Sequence, residues 1–137
     1  MRAIEIEFLE TYKETDSLCN EAFNCRRGIS DYIGKMSDLY NEGNAHIEGW
    51  KEELSTLKRL RRLRNKIAHE SGKSECNNND LQDLKKFRNK LKKRTDVLSQ
   101  LKTRKHKKGN GKLVAAVIIG LIVLFAVLYL CHVNGIL

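Results

Sequence analysis

Apolar side chains recur at intervals of three and four residues along four segments of the chain, which is the spacing of one face of an α-helix. These segments cover residues 4–23, 29–40, about 45–71 and 79–101. No segment alternates between apolar and polar residues for long enough to indicate a β-strand. The pattern therefore predicts an all-α fold, and the short connections favour an up-and-down four-helix bundle.

A fifth segment is apolar on every side. Residues 113–131 contain nineteen consecutive residues without Asp, Glu, Lys or Arg, and as a helix they would extend over roughly 28 Å. This length matches the hydrocarbon core of a bilayer. A buried core helix is the alternative, but so small a chain has little surface with which to cover one. We therefore predict a single C-terminal transmembrane helix over residues 113–133, followed by a short tail, 134–137.

Charge is distributed unevenly along the chain, and this asymmetry predicts an orientation in the membrane. Residues 1–50 carry five Lys or Arg against ten Asp or Glu, whereas residues 51–112 carry 21 against seven. Cations also precede the predicted span directly: Lys102, Arg104, Lys105, Lys107, Lys108 and Lys112. Because Lys and Arg concentrate on the cytoplasmic side of a span, we expect a single-pass membrane protein whose helical domain, residues 1–104, lies in the cytoplasm. Residues 105–112 would form a basic juxtamembrane linker against anionic lipid.

One cluster of polar residues on the predicted third helix has a pattern suited to chemistry. Asn65 and His69 are four residues apart and so share a helical face, and the long side chain of Arg64 can reach towards them. A guanidinium can neutralise a phosphodiester, and an imidazole can transfer a proton near neutral pH. The structural alternative is that His69 only complements the C-terminal dipole of its helix.

The segment RLRNKIAHE resembles the HEPN superfamily, small helical bundles with an Arg-x(4–6)-His motif in which a polar residue usually follows the arginine. The resemblance implies a metal-independent endoribonuclease or RNA-binding effector of a toxin–antitoxin or defence system, with Arg64, Asn65 and His69 as catalytic residues. It also implies RNA as a ligand, a homodimer in which two motifs meet, and an antitoxin or other protein partner.

Other kinds of site find little support in the sequence. The spacings of Cys19 to Cys25 and of His69 to Cys76 are not those of zinc ligands, and the motifs of P-loop nucleotide hydrolases, zinc proteases and serine esterases are missing. We therefore predict no metal and no cofactor. A non-catalytic, tail-anchored membrane scaffold or interaction protein stays open as the alternative function.

Overall fold

A computed structural model gives the structure of residues 1–43, 46–70 and 75–136, and the side chain of residue 110 is not described. These residues form five α-helices and no β-strand. The helices are α1 (Ala3–Phe23), α2 (Ile29–Asn41), α3 (Trp50–His69), α4 (Asn78–Lys93) and α5 (Val97–Val133). The prediction of an all-helical chain with a long apolar helix at its C-terminus is confirmed. The ends predicted for the third helix, residues 45 and 71, lie outside the described residues.

The chain divides into two compact units, Met1–Leu101 and Lys102–Leu137. In the first unit α1 packs along α4 and also contacts α2 and α3, and α3 in turn contacts α2 and α4. The apolar faces predicted from the sequence meet in one core, because each helix can bury only the stripe of side chains that recurs on its inner face. The side chains that are fully buried there include Phe8, Ile29, Tyr32, Met36, Leu57, Leu60 and Leu84.

The third helix begins later than its hydrophobic pattern predicts. Gly49 has a φ of +79° and precedes α3, so the helix starts at Trp50. Ile47, which the pattern places on the inner stripe of the helix, is buried in the turn before it. An apolar side chain can reach the core from a turn as well as from a helix, and periodicity alone does not distinguish the two.

The start of α4 is fixed by reciprocal hydrogen bonds. The side chain of Asn77 accepts a hydrogen bond from the backbone N–H of Asp80 at 3.0 Å, and the Asp80 carboxylate accepts one from the backbone N–H of Asn77 at 3.1 Å. Asp80 and Asp83 also form ion pairs with Arg59 of α3. The cap therefore ties the first turn of α4 to α3 as well as ending the preceding loop.

The chain breaks between α4 and α5, where the sequence pattern predicts one uninterrupted helix to residue 101. Arg94 adopts a left-handed conformation with a φ of +57° and ends α4. Asp96 is fully buried and accepts hydrogen bonds from the Tyr32 hydroxyl at 2.7 Å and the Ser99 hydroxyl at 2.6 Å. The prediction of a single helix here is wrong because this buried carboxylate begins a new helix and binds it to α2.

The second unit is helical from residue 102 to residue 133, including residues 105–112, which the sequence predicts as a juxtamembrane linker. Its apolar side chains are exposed from Leu113 to Leu130. Among the described residues, one helix is long and apolar enough to cross a membrane, and its apolar window is not buried against other parts of the chain.

Candidate functional site

The three residues predicted to form a catalytic site lie in the last two turns of α3, but only two of them are brought together with other elements. Arg64 is half-buried, and its guanidinium lies 5.9 Å from the centre of the Tyr12 ring on α1. The same guanidinium donates a hydrogen bond of 3.3 Å to the side-chain oxygen of Asn65. These contacts hold the Arg64 side chain across α1 and do not direct it towards His69.

A surface pocket of about 260 Å³ lies between α1, the connection from α1 to α2, and α3. We call it the arginine pocket, because four of the residues that form it are arginines. It is lined by Tyr12, Asp16, Arg26, Arg27, Gly28, Ser30, Arg61, Arg64 and Asn65. The sequence predicted two of these residues as site residues, Arg64 and Asn65. Tertiary packing adds the other seven, one from the preceding turn of α3 and six from segments at least 34 positions earlier in the chain.

His69 is the last residue of α3 and does not line the arginine pocket. Its side chain is exposed, and it makes no hydrogen bond with the described residues. His69 and Lys66 both lie in the last turn of α3, where basic side chains complement the partial negative charge of the helix C-terminus. The catalytic assignment of Arg64, Asn65 and His69 thus stays a prediction, with the histidine outside the pocket that the other two share.

The connection between α1 and α2 is held against α1 by Asp16. The Asp16 carboxylate accepts a hydrogen bond of 2.8 Å from the backbone N–H of Ile29, at the first residue of α2. Gly28, between the arginines and Ile29, has a φ of +58°, and a Cβ atom there would overlap the Asp16 side chain. Only glycine fits this position, because other residues would be strained by the backbone angle and would displace the carboxylate.

Burial raises the pKa of Asp16 and of Tyr12, which lie at the inner wall of the arginine pocket. Desolvation raises the pKa of Asp16, while the Ile29 N–H and the Arg64 guanidinium act in the opposite direction. Desolvation also raises the pKa of Tyr12, with a further increase from Asp16 and partial compensation by Arg64 and Arg61. The Tyr12 hydroxyl is therefore a neutral group at physiological pH, and it does not supply a base for catalysis.

Four of the six cations on α4 form ion pairs with carboxylates of other helices. Lys85 pairs with Glu7, Lys90 pairs with Glu53 at 2.9 Å, and Arg88 and Lys92 both pair with Glu14 at 2.8 and 2.7 Å. The sequence shows these cations as a run of unpaired charge, because the carboxylates that meet them are 37 to 78 residues away.

The arginine pocket is different, because its cations outnumber its carboxylates. Arg27 pairs with Asp31 at 2.9 Å, whereas Arg26 and Arg61 make no ion pair with any residue that the structure describes. Asp16 is the only acidic side chain in the lining. A concentration of guanidinium groups with so few counter-charges makes this pocket the candidate functional site of the first unit. Besides Arg64 and Asn65, the sequence signal that could have indicated it is the Arg26-Arg27-Gly28 succession, which lies in the connection between α1 and α2.

No group of three or more His, Cys, Asp or Glu side chains among the described residues could hold a metal ion. The chemistry available at the arginine pocket is consequently that of its guanidinium groups, one amide, two hydroxyls and one carboxylate. Such a set can bind and orient an anion through charge-assisted hydrogen bonds.

Comparison with known proteins corrects the assignment to the HEPN superfamily. A family model matches residues 6–116 of the chain, and it describes a family of unknown function, DUF6548. No curated protein and no solved structure matches the chain. The HEPN resemblance rested on six residues, and α3 has arginine at four of the six positions from 59 to 64. A helix of that composition readily places one arginine five residues before a histidine. The HEPN assignment is wrong, because the family model that matches residues 6–116 describes a different family. The chain belongs to the family DUF6548.

Proposed function

We propose that the protein is a single-pass membrane protein whose helical domain works as a non-catalytic binding module on the cytoplasmic side. The observation that supports this proposal is the apolar stretch of α5, which is helical and exposed and contains no charged residue from position 113 onwards. The proposal retains the predicted up-and-down order of the four preceding helices.

The length of the apolar stretch agrees with a membrane span. Residues 113–133 form 21 helical residues, which extend over about 32 Å at 1.5 Å per residue. The hydrocarbon core of a bilayer is about 30 Å thick. In water, so long an exposed apolar surface would be unfavourable and would promote aggregation, whereas lipid solvates it directly. Tyr129, near the end of the stretch, has the amphipathic ring that is frequent at membrane interfaces.

The orientation follows from the cations on one side of the stretch. Six Lys or Arg residues lie between positions 102 and 112, and none lies after position 112. The excess supports a cytoplasmic location for the first unit. Each cation close to an anionic leaflet would add about 1 kcal/mol of attraction.

A binding role is favoured over catalysis by the arrangement of the site. His69, the predicted proton-transfer group, lies outside the arginine pocket, and Asp16 is engaged by the N–H of Ile29. The remaining groups are donors that suit recognition of an anion.

Membrane insertion can be tested by carbonate extraction of the full chain from isolated membranes. The variant Ile118→Arg/Ile122→Arg should move to the soluble fraction, because each arginine at mid-span costs about 2.5–3.5 kcal/mol. The control variant Gly109→Arg/Gly111→Arg, which adds the same charge outside the stretch, should stay in the pellet. Extraction of the unmodified chain by carbonate would refute the proposed span.

Orientation can be tested with glycosylation acceptor sites during translation into microsomes. A site appended after residue 137 should be glycosylated, and a site placed before residue 1 should not. The reverse result would refute the cytoplasmic location of the helical domain.

A further inference from the structure

We propose that the arginine pocket binds a phosphate monoester, with Arg26, Arg61 and Arg64 as the groups that contact the phosphate. The inference concerns the first unit alone and does not depend on the membrane span. It rests on the charge, the rigidity and the size of the pocket.

The charge of the pocket matches a dianion. Its lining contains four arginines and one carboxylate, and one of the arginines, Arg27, is already paired with Asp31. Two positive charges are therefore left uncompensated. A phosphate monoester carries about −1.5 to −2 charges at neutral pH, whereas each phosphate of a diester carries one. The monoester is thus the phosphate group that neutralises this pocket most completely.

Arg64 and the loop that carries Arg26 are held in place before any ligand arrives. Arg64 lies against the Tyr12 ring and is bonded to Asn65. Asp16 fixes the loop that carries Arg26 through the bond to the Ile29 N–H. Because these contacts hold Arg64 and the loop beside it, less conformational entropy is lost on binding. The planar guanidinium also offers paired donors that suit phosphate oxygens.

The size of the pocket restricts the ligand to a small group. Its volume of about 260 Å³ lies below the roughly 300–1,000 Å³ of sites that enclose whole small molecules. A phosphate group can enter, while the molecule that carries it extends into solvent. The ligand can accordingly be a soluble phosphate monoester or a lipid head group that bears one.

A second basic pocket on α3 is a weaker candidate. It has a volume of about 290 Å³ and is lined by Lys51, Lys58 and Arg62 together with apolar and hydroxyl groups. Lys51 lies over the Tyr40 ring at 5.6 Å. Two of its three cations are lysines, which bind as point charges without the paired donors of a guanidinium. This pocket supplies the matched control position Arg62, adjacent to Arg61 in sequence but outside the arginine pocket.

The test uses the full chain, purified in a non-ionic detergent, and isothermal titration with glycerol 3-phosphate at low ionic strength. Arg26→Gln/Arg61→Gln should weaken binding about tenfold or more, because each lost guanidinium removes charge-assisted hydrogen bonds. The control Arg62→Gln/Lys66→Gln removes the same net charge outside the arginine pocket and should bind within about twofold of the unmodified chain, since only long-range attraction is lost. Neither pocket arginine has an ion-pair partner among the described residues, so the fold should be unaffected. Arg61→Gln alone, compared with Arg62→Gln alone, provides the test if the double variant does not fold.

The source of the monoester is distinguished in a second arm. The full chain is placed in phosphatidylcholine nanodiscs with or without phosphatidylinositol 4-phosphate, and the monoester resonance is followed by ³¹P NMR. Binding of glycerol 3-phosphate assigns a soluble ligand, and an arginine-dependent shift only in the nanodiscs assigns a lipid head group. The proposal is overturned if neither arm shows binding, if the control variant weakens binding as much as the pocket variant, or if the diester glycerophosphocholine binds as tightly as the monoester.

Discussion

Gly28 is the position at which one added methyl group should disturb the arginine pocket most. Its φ of +58° and ψ of −126° lie in the mirror image of the β region, which glycine adopts readily and other residues do not. A Cβ atom would also overlap the Asp16 side chain. Gly28→Ala therefore adds backbone strain and separates the Asp16 carboxylate from the N–H of Ile29.

The magnitude follows from these two effects. Backbone strain of this kind costs of order 1–3 kcal/mol, and a hydrogen bond to a charged group contributes about 1.5–3 kcal/mol. We expect Gly28→Ala to lower the free energy of unfolding by about 3–5 kcal/mol, a large part of the 5–15 kcal/mol typical of a domain. In an Asp16→Ala background the hydrogen bond is already gone, so the same substitution should cost less by that contribution, while the backbone strain and the overlap with the Cβ atom of residue 16 remain.

The assay is denaturant unfolding of the full chain in non-ionic detergent, followed by tryptophan fluorescence. Trp50 is the only tryptophan and is 2% exposed in the core of the first unit, so its emission reports that unit without interference from the apolar helix. Gly34→Ala is the matched control. Gly34 lies within α2 with no atom near the place of an added Cβ, and alanine should stabilise the helix there by about 0.5–1 kcal/mol. Equal midpoints for the two variants would refute this account of Gly28.

Two further predictions concern the ionisable groups that hold the helices together. Asp96→Ala should lower the free energy of unfolding by roughly 2–4 kcal/mol, because the buried hydroxyl of Tyr32 loses its 2.7 Å acceptor. The control Thr95→Ala, at an exposed residue, should change the free energy of unfolding by less than about 0.5 kcal/mol. Equal losses of unfolding free energy in the two variants would contradict the role of the buried carboxylate. The hydrogen bonds from Lys92 and Arg88 hold the pKa of Glu14 below its ordinary value of 4.5, so its stabilising effect is present above that pH and is lost as the pH falls through the lowered pKa. Glu14→Gln should accordingly destabilise the chain at pH 7, and the difference between its urea midpoint and that of the unmodified chain should shrink progressively below pH 4.5. The control Glu10→Gln, at an exposed residue without an ion pair among the described residues, should show no such convergence.

The local features of this protein follow from its sequence, because they depend on neighbouring residues. Hydrophobic periodicity determined that the chain is helical and which faces of the helices are buried, since a helix of period 3.6 can bury only one stripe. The apolar run after position 112 likewise determined which helix, among the residues that the structure describes, is both long and apolar enough to span a bilayer. Periodicity was less informative at helix ends: it placed Ile47 inside α3, and it did not detect the break at Arg94.

The candidate site depended on tertiary structure, because its residues come from three separate elements. Spacing along the sequence grouped Arg64 and Asn65 with His69. In the fold, α1 packs against α3, so that Arg64 and Asn65 line the arginine pocket together with Tyr12, and His69 lies outside this pocket. Packing also decided which charges are available. Four of the six lysines and arginines of α4 are paired with carboxylates of α1 and α3, whereas three of the four arginines of the arginine pocket form no ion pair with the described residues. Sequence fixes the number of charges, but only the fold determines their distances, and electrostatic interactions depend on distance.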